Sequence, residues 1–235
     1  MLFLLYNYYW FLKEGVMSDN KNKSCSHRDA EFYNIWRRIF NFIVTHIFYK
    51  LIFKIIYRVE VYGRENIPKT NDYIIASNHL STLDPPLVCS VIDKGVAYMA
   101  KKELFENVFM RWWLNWLGAF AVDRERLHVS TIKTAKTIKE TGWVLGIFPQ
   151  GTRQEAGKFN NVAKGFVALA KSTKCGILPI GIDGTQNKTR IPFKGKVVIK
   201  IGKLIPYSEN LDEMFEKWIT SIQDLTGYKY EKEVV

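Results

Sequence analysis

A histidine and an aspartate, His79 and Asp84, lie five positions apart in the stretch SNHLSTLDPP and have the chemistry of a base and its partner. A neutral imidazole can accept the proton of an attacking alcohol, while a carboxylate bonded to the other ring nitrogen fixes the tautomer and stabilises the imidazolium. The alternative is an ordinary loop with two polar residues, because turns and loops are rich in such side chains. Taken alone, this stretch leaves both interpretations open.

Cations and a glycine turn follow three further apolar runs. Lys101 follows VAYMA, Arg124 comes just after AFAV, and the turn 149–153, PQGTR, follows VLGIF. Guanidinium and ammonium groups beside the backbone amides around Gly151 suit a phosphate monoester. Each cation taken singly can equally be a solvated surface charge, and Gln150-Gly151 a plain turn. There is no G-x-S-x-G and no Ser or Cys with an evident base, so the attacking group is expected to come from the substrate.

These polar groups meet only if the apolar runs before them are parallel strands of one sheet. The runs are apolar on both faces, as in a parallel sheet covered by helices. The predicted strands are 73–77, 96–100, 119–122, 144–148, 177–182 and 197–201. The predicted helices are 86–93, 103–116, 129–140, 162–173 and 209–226. This alternation predicts an α/β domain over residues 59–235 with a largely parallel central sheet, and such sheets bind ligands at the carboxyl ends of their strands.

The residues before the sheet divide into two segments. Residues 1–29 are a short apolar run followed by a polar run; the apolar part is too short to span a bilayer, and synthesis can equally start at Met17. Residues 30–58 predict an amphipathic helix or helix pair with a wide apolar surface. On a wheel of about 100° per residue its polar side chains fall on two nearly opposite sides. We expect this segment to lie in the membrane interface with its cations at anionic headgroups, the alternative being a core or dimer helix.

The excess of basic residues favours a polyanionic partner. The chain has 34 Lys and Arg against 23 Asp and Glu, a formal net charge of +11. No nucleic acid is expected, because the basic residues form neither a block nor an RNA-binding signature. The three cysteines are widely spaced and form no C-x-x-C, and no His/Cys cluster has ligand spacing, so neither a disulfide framework nor a metal site is predicted.

Four sequence blocks, in order, carry a resemblance to a known family. The blocks are N-H-x4-D, a glycine with an apolar run ending in Arg, F-P-x-G-T-R, and an apolar run around a proline. In this chain they are Asn78-His79 with Asp84, 118–124, 148–153 and 177–182. The chain thereby resembles the 1-acylglycerol-3-phosphate acyltransferase (lysophosphatidate acyltransferase) family of the glycerolipid acyltransferases. The likeness runs from about residue 35 to 205, with one departure, Gln150 where the family usually has Glu.

The resemblance implies direct attack of a lysophospholipid hydroxyl on an acyl thioester, giving phosphatidate. His79 would be the general base and Asp84 its partner. The residues implied in holding the glycerol phosphate are Lys101, Arg124, Gln150, Gly151, Thr152 and Arg153. Those implied in supporting the site are Asn78, Gly118, Pro149 and Pro179.

The resemblance also implies the partners. No metal or bound cofactor is implied, and the acyl donor would be acyl-CoA or acyl-carrier protein. The acceptor would be lysophosphatidate, with another lysolipid or glycerol 3-phosphate as the alternative, because Gln150 lacks the charge of the usual Glu. The amino-terminal segments would dock on an anionic membrane surface, making the enzyme a monotopic or peripheral protein of the cytoplasmic face. A non-catalytic lipid-binding relative is the alternative outside the enzymes, and the intact His79 and Asp84 argue against it.

Overall fold

A seven-stranded mixed sheet forms the centre of the protein in a computed structural model that describes residues 25–122, 128–186 and 196–232. In chain order the strands are β1 (Val59–Tyr62), β2 (Tyr73–Ser77), β3 (Val96–Lys101), β4 (Phe120–Val122), β5 (Val144–Ile147), β6 (Lys158–Phe159), β7 (Gly176–Asp183), β8 (Val197–Ile201) and β9 (Lys229–Tyr230). The central sheet has the order β1-β8-β7-β2-β5-β3-β4, and β6 pairs with β9. Strands β7, β2, β5, β3 and β4 run parallel, whereas β1 and β8 run the opposite way. The predicted largely parallel sheet is confirmed.

Helices cover both faces of this sheet. They are α1 (Ile35–Phe42), α2 (Lys50–Ile55), α3 (Asp84–Val91), α4 (Val108–Trp116), α5 (Val129–Glu140), α6 (Gly165–Thr173) and α7 (Leu211–Thr226). A π-helical stretch, Ile43–Tyr49, joins α1 to α2 in one continuous helix, and 3-10 turns lie at Glu31–Tyr33, Arg64–Asn66 and Lys102–Phe105. Helices α5, α6 and α7 pack on one face of the sheet, and α3 with the α1–α2 helix packs on the other.

Strand β2 lies at the centre of two hydrophobic cores. Ile74 and Ala76 belong to the core under α5, α6 and α7, whereas Tyr73 and Ile75 belong to the core under α3. All four side chains are buried. A strand covered on both faces has no solvent side, which explains why this run shows no alternation of apolar and polar residues.

The six predicted strands are confirmed to within one residue at either end. Strand β1 was not predicted, because its short sequence VEVY contains a charge and lies on a half-buried edge. The predicted helix 103–116 is divided at Asn107, whose side-chain oxygen accepts a 3.0 Å hydrogen bond from the Met110 amide and begins α4 anew. Helix α3 begins at Asp84 rather than at residue 86, because prolines are tolerated in a first helical turn whose amides need no partner.

The α1–α2 helix follows a repeat of four residues rather than 3.6. Exposed aliphatic side chains recur at every fourth position and form the aliphatic row, Ile35, Ile39, Ile43, Ile47, Leu51 and Ile55. Buried or half-buried side chains recur with the same step and form the protein-facing row, Arg37, Asn41, Thr45, Tyr49, Phe53 and Tyr57. Between these two lies a mostly basic row, called here the cationic row, Arg38, Phe42, His46, Lys50, Lys54 and Arg58.

The π-helical stretch keeps these rows straight. On an α-helix a four-residue repeat drifts by about 40° per step, so five steps would carry it to the opposite face. A π-helix closes wider turns, as where the Lys50 amide donates to the Thr45 carbonyl, and so absorbs the drift. A regular α-helical wheel therefore sets Arg37, Asn41 and Thr45 nearly opposite His46, Lys50 and Lys54, whereas the structure places the protein-facing and cationic rows next to each other.

The α1–α2 helix is attached to the body of the protein by specific contacts. The Asn41 side-chain amide donates a 3.0 Å hydrogen bond to the Leu117 carbonyl, and the Phe40 ring packs on the indoles of α4 at 5.1–6.4 Å. Phe53 enters the core beneath α3. Among the described helices none has the length and apolarity to cross a bilayer.

Candidate active site

The loop after β2 is fixed to a neighbouring strand by one side chain. The Asn78 amide donates to the Ile182 carbonyl at 2.8 Å, and its oxygen accepts from the Ile182 amide at 2.7 Å. The side chain thus replaces the backbone bonds that β2 would have made to β7 had it continued. His79 is therefore held just beyond the carboxyl edge, the edge of the sheet at which β2, β3, β4, β5 and β7 end.

His79 and Asp84 are in direct contact. Nδ1 of His79 lies 2.9 Å from Oδ2 of Asp84; 14% of the histidine side chain is exposed and none of the aspartate. The carboxylate can only accept, so it orients Nδ1–H toward itself and leaves Nε2 as the basic nitrogen. The slight exposure of the ring gives that nitrogen access to a ligand.

Three further donors hold the Asp84 carboxylate. The amides of Leu80 and Ser81 donate to Oδ2 at 2.6 and 2.7 Å, and the Thr185 hydroxyl donates to Oδ1 at 2.7 Å. With both oxygens accepting, the buried carboxylate is anchored by its own loop and by the segment that follows β7. Such anchoring fixes the position of the group that orients His79.

An aromatic stack supports the face of the imidazole. The His79 ring lies 4.2 Å from the Phe148 ring at 24°, and Phe148 in turn lies 5.2 Å from Tyr98 at 12°. Burial raises the pKa of the Tyr98 phenol well above its ordinary value, so this ring stays neutral. The stack restricts the imidazole to one plane without adding a charge beside it.

The turn after β5 wraps around the backbone of His79. Oε1 of Gln150 accepts a 2.7 Å hydrogen bond from the His79 backbone amide, and the Gln154 backbone amide donates to the His79 carbonyl at 2.8 Å. Gln150 is only 5% exposed, and its Nε2 has no hydrogen-bond partner in the described structure. Gly151 has φ +67°, a conformation that favours glycine, and lets the chain turn sharply here. A buried donor without a partner is therefore available beside the histidine.

The predicted cations come to the carboxyl edge to different degrees. Lys101 is the last residue of β3; it is exposed, and its ammonium lies 3.8 Å from a Glu103 carboxylate oxygen. Thr152 and Arg153 are exposed directly after Gly151. Arg124 lies outside the described residues. The structure thus places Lys101 and Arg153 on the same edge as His79, where their side chains face solvent.

The predicted supporting residues separate into two groups. Asn78 and Pro149 lie in the site. The Pro149 carbonyl accepts a 3.0 Å hydrogen bond from the Ala163 amide, and this bond shapes the turn. Gly118 lies at the amino end of β4, on the opposite edge, where its φ is +82° and an added Cβ would stand 2.4 Å from the Trp143 ring. Pro179 lies within β7, paired with Ala76. Neither of the last two reaches the site, and both shape the sheet.

Sequence reasoning missed Thr185, although a signal for it was present. Thr185 lies two residues after Asp183, the last residue of β7. The other polar groups of the site were identified by the same kind of position, just after a strand. The half-buried Phe148 ring and the buried Tyr98 ring gave no such signal, because aromatic residues in apolar runs are ordinary core residues. Within the described residues, no three His, Cys, Asp or Glu side chains are grouped to hold a metal ion.

Comparison with known proteins adds a family to this geometry. The model of the family described as "Acyltransferase" matches residues 58–183, which contain His79, Asp84 and the 149–153 turn. The 1-acyl-sn-glycerol-3-phosphate acyltransferase of Bacillus subtilis (strain 168) is 32% identical over 176 residues, 71% of this chain and 87% of the relative. Its namesake from Streptococcus pneumoniae (strain ATCC BAA-255 / R6) is 27% identical over 216 residues, 91% of this chain and 77% of the relative.

A solved structure shares the fold. It is the crystal structure of the 1-acyl-sn-glycerophosphate (LPA) acyltransferase PlsC from Thermotoga maritima, with a TM-score of 0.55 and 26% sequence identity. The match covers 83% of this chain and 78% of that chain.

Proposed function

The chain belongs to the acyltransferase family, and on that premise we propose that it transfers an acyl chain from a thioester donor to the free hydroxyl of 1-acylglycerol 3-phosphate, making phosphatidate. The observation that carries this function to the level of residues is the contact between His79 Nδ1 and Asp84 Oδ2. It leaves a basic nitrogen directed away from the carboxylate at the carboxyl edge.

His79 acts as the general base of the transfer. Its Nε2 takes the proton of the acceptor hydroxyl as that oxygen attacks the thioester carbonyl; the carbon–oxygen bond forms, the carbon–sulfur bond breaks, and the proton passes to the departing thiolate. Asp84 stabilises the imidazolium that exists between the two proton transfers. Base assistance of this kind contributes about 10²–10⁴ to the rate.

The turn after β5 and the end of β3 bind the phosphate of the acceptor. Arg153 offers a planar fork to two phosphate oxygens, Lys101 adds a point charge, and the Thr152 hydroxyl can donate, while Gly151 with its positive φ lets the turn approach the ligand closely. Arg124 joins this set on the strength of its sequence block. All these groups attract an anion, which favours a phosphorylated acceptor over a neutral one.

Gln150 has two functions in this proposal. Its oxygen holds the His79 amide, a bond that a glutamate would make equally well. Its unpartnered Nε2 donates to an oxygen of the acceptor, which a glutamate cannot do. Lysophosphatidate is the first choice of acceptor. The alternative is glycerol 3-phosphate or another lysolipid, and it is kept because Gln150 differs from the family's usual glutamate.

The α1–α2 helix docks the enzyme on an anionic membrane surface. The aliphatic row lies opposite the protein-facing row, so six large apolar side chains point away from the body. Complete burial of such a side chain stabilises by about 1.5–3 kcal/mol, and each basic residue near an anionic surface adds about 1 kcal/mol. Residues 35–58 carry four exposed Lys or Arg, which are Arg38, Lys50, Lys54 and Arg58, and no acidic residue. This arrangement supports monotopic or peripheral attachment at the cytoplasmic face.

An acylation assay with purified protein in mixed micelles tests this function. The acceptors are lysophosphatidate, glycerol 3-phosphate and a neutral lysophospholipid, each with acyl-CoA and with acyl-carrier protein as donor. We expect phosphatidate from lysophosphatidate, and the better donor identifies the thioester used. His79→Ala should abolish the product, whereas His128→Ala, a change at an exposed histidine, should not. Equal activity of the His79→Ala protein would remove this residue from the mechanism, and no acylation of any acceptor would leave a lipid-binding relative.

A further inference from the structure

A corner of the molecule beside the site exposes large apolar side chains that the fold does not use. Leu104, Val108 and Phe109 are 43%, 59% and 68% exposed, and we call residues 104–109 the apolar corner. Their neighbour Phe105 is buried and packs with Ala119 and Ala121. The inner contacts of this segment are thus made by other residues.

The start of helix α4 is fixed without its first two side chains. Asn107 caps the helix through its bond to the Met110 amide, and the Arg111 amide bonds the Asn107 carbonyl at 2.8 Å. Val108 and Phe109 follow the cap in the first turn and face solvent. Polar residues would serve there equally well for folding, because exposed apolar side chains contribute nothing to the core.

The apolar corner lies on the edge of the sheet that carries the site. Strand β3 ends at Lys101, and the 3-10 turn Lys102–Phe105 follows at once. Strand β3 is parallel to β5, and β5 to β2, so Lys101 and His79 emerge at the same edge. The corner therefore lies at the edge of the sheet where His79 is held.

The corner is also continuous with the surface assigned to membrane docking. The α4 indoles of Trp112, Trp113 and Trp116 pack around Phe40 of the α1–α2 helix, which joins the two elements side by side. The exposed Lys50 and Lys54 lie on that helix and match an anionic surface. The corner and the α1–α2 helix are therefore adjacent on the surface.

We propose that the apolar corner is a second bilayer contact, which seats the carboxyl edge of the sheet, and with it His79, against an anionic lipid surface. The inference rests on the proposed acyl transfer to a lipid acceptor. Docking by the α1–α2 helix alone leaves the enzyme free to roll about the helix axis, whereas a second contact removes that freedom. The acceptor then passes from bilayer to site without entering water.

The test compares a Val108→Ser/Phe109→Ser double variant of the full chain with Tyr62→Ser. Tyr62 is 54% exposed at the end of β1, which runs opposite to β2, so it serves as a matched control on the far edge. Co-sedimentation with phosphatidylglycerol/phosphatidylcholine vesicles measures binding. Acyl transfer from acyl-CoA is measured to long-chain lysophosphatidate in those vesicles and to a short-chain lysophosphatidate dissolved below its micelle threshold.

The double variant should bind vesicles about tenfold more weakly and lose a similar factor in kcat/KM for the vesicle acceptor. The reason is that two apolar side chains that the bilayer buries become polar. The kcat/KM of the double variant for the dissolved acceptor should equal that of the parent. Tyr62→Ser should equal the parent in vesicle binding and in kcat/KM for both acceptors. Unchanged vesicle binding would overturn the proposal, as would an equal loss on both acceptors, which signals damage to the site. A parent dimer that becomes a monomer in the double variant, with vesicle binding intact, would assign the corner to a second copy. If the parent acylates neither acceptor, the proposed function fails, and vesicle binding still decides the contact.

Discussion

The Thr185 hydroxyl donates a 2.7 Å hydrogen bond to the Asp84 carboxylate from 101 residues farther along the chain. Thr185 is 1% exposed and Asp84 is fully buried, so no water substitutes for this bond. The bond joins the segment after β7 to the loop after β2. The position of the His79 imidazole therefore depends on a residue that does not touch it.

Replacing Thr185 with Val should lower kcat about tenfold or more and leave the KM for the acceptor nearly unchanged, because a hydrogen bond to a charged group is worth about 1.5–3 kcal/mol. Thr185→Ser keeps the hydroxyl and should restore most of the rate. Steady-state kinetics on both variants, with their Tm values, make the comparison. Failure of the serine variant to exceed the valine variant would assign Thr185 to packing alone.

Asp84→Asn should reduce kcat by about 10²–10⁴, because the amide cannot accept from the backbone amides, the threonine and His79 at once, and the imidazole loses its fixed tautomer. The measurement is kcat on the folded protein, with circular dichroism to confirm folding. Asp93→Asn is the control, since that carboxylate is 77% exposed and lies 3.5 Å from His46. Comparable rates in the two variants would exclude an orienting role for Asp84.

Gln150→Glu should raise the KM for lysophosphatidate by about three- to tenfold at low salt while kcat stays within a factor of a few. The carboxylate keeps the bond to the His79 amide but presents a negative charge where a donor stood. Because the side chain at this position is only 5% exposed, added salt should weaken the repulsion only slightly. Gln150→Ala loses both functions and should lower kcat as well. A KM that is equal or lower in the glutamate variant would place the Gln150 amide away from the phosphate.

Gly118→Ala should destabilise the fold by about 2–4 kcal/mol, the sum of a positive φ on a residue with a Cβ and of overpacking against Trp143. Gly157→Ala separates the two causes, because Gly157 has φ +91° and no atom within 4 Å of the added Cβ. It should cost about 1–2 kcal/mol. Thermal or urea unfolding measures both, and equal losses would mean that the Trp143 contact relaxes freely.

The sequence predicted the strands because their physical signal is local. A run such as YIIAS is buried on both faces, so its composition alone identifies it. The polar groups after each strand pointed to one edge by the same reasoning, and His79, Asp84 and Gln150 are brought together there. The assigned chemical roles of these residues remain predictions for the experiments above.

The features that escaped prediction depend on distant parts of the chain. The partnership of Thr185 with Asp84 exists only because β7 lies beside β2 in the folded sheet. The rows of the α1–α2 helix escaped for another reason, since an assumed period of 3.6 residues conceals a repeat of four. Strand β1 is too short and too polar to stand out until β8 pairs with it.

The four-residue repeat makes the length of the α1–α2 helix less tolerant of change than its composition. Deleting one residue within Ile43–Tyr49 would move every later side chain back by one row, so that Lys50, Lys54 and Arg58 would enter the protein-facing row. Inserting one would instead carry His46, Lys50 and Lys54 into the aliphatic row. Exchanging one aliphatic residue for another along this helix should therefore have little effect. Inserting or deleting a single residue should instead disrupt either the packing of the helix on the protein or its attachment to lipid.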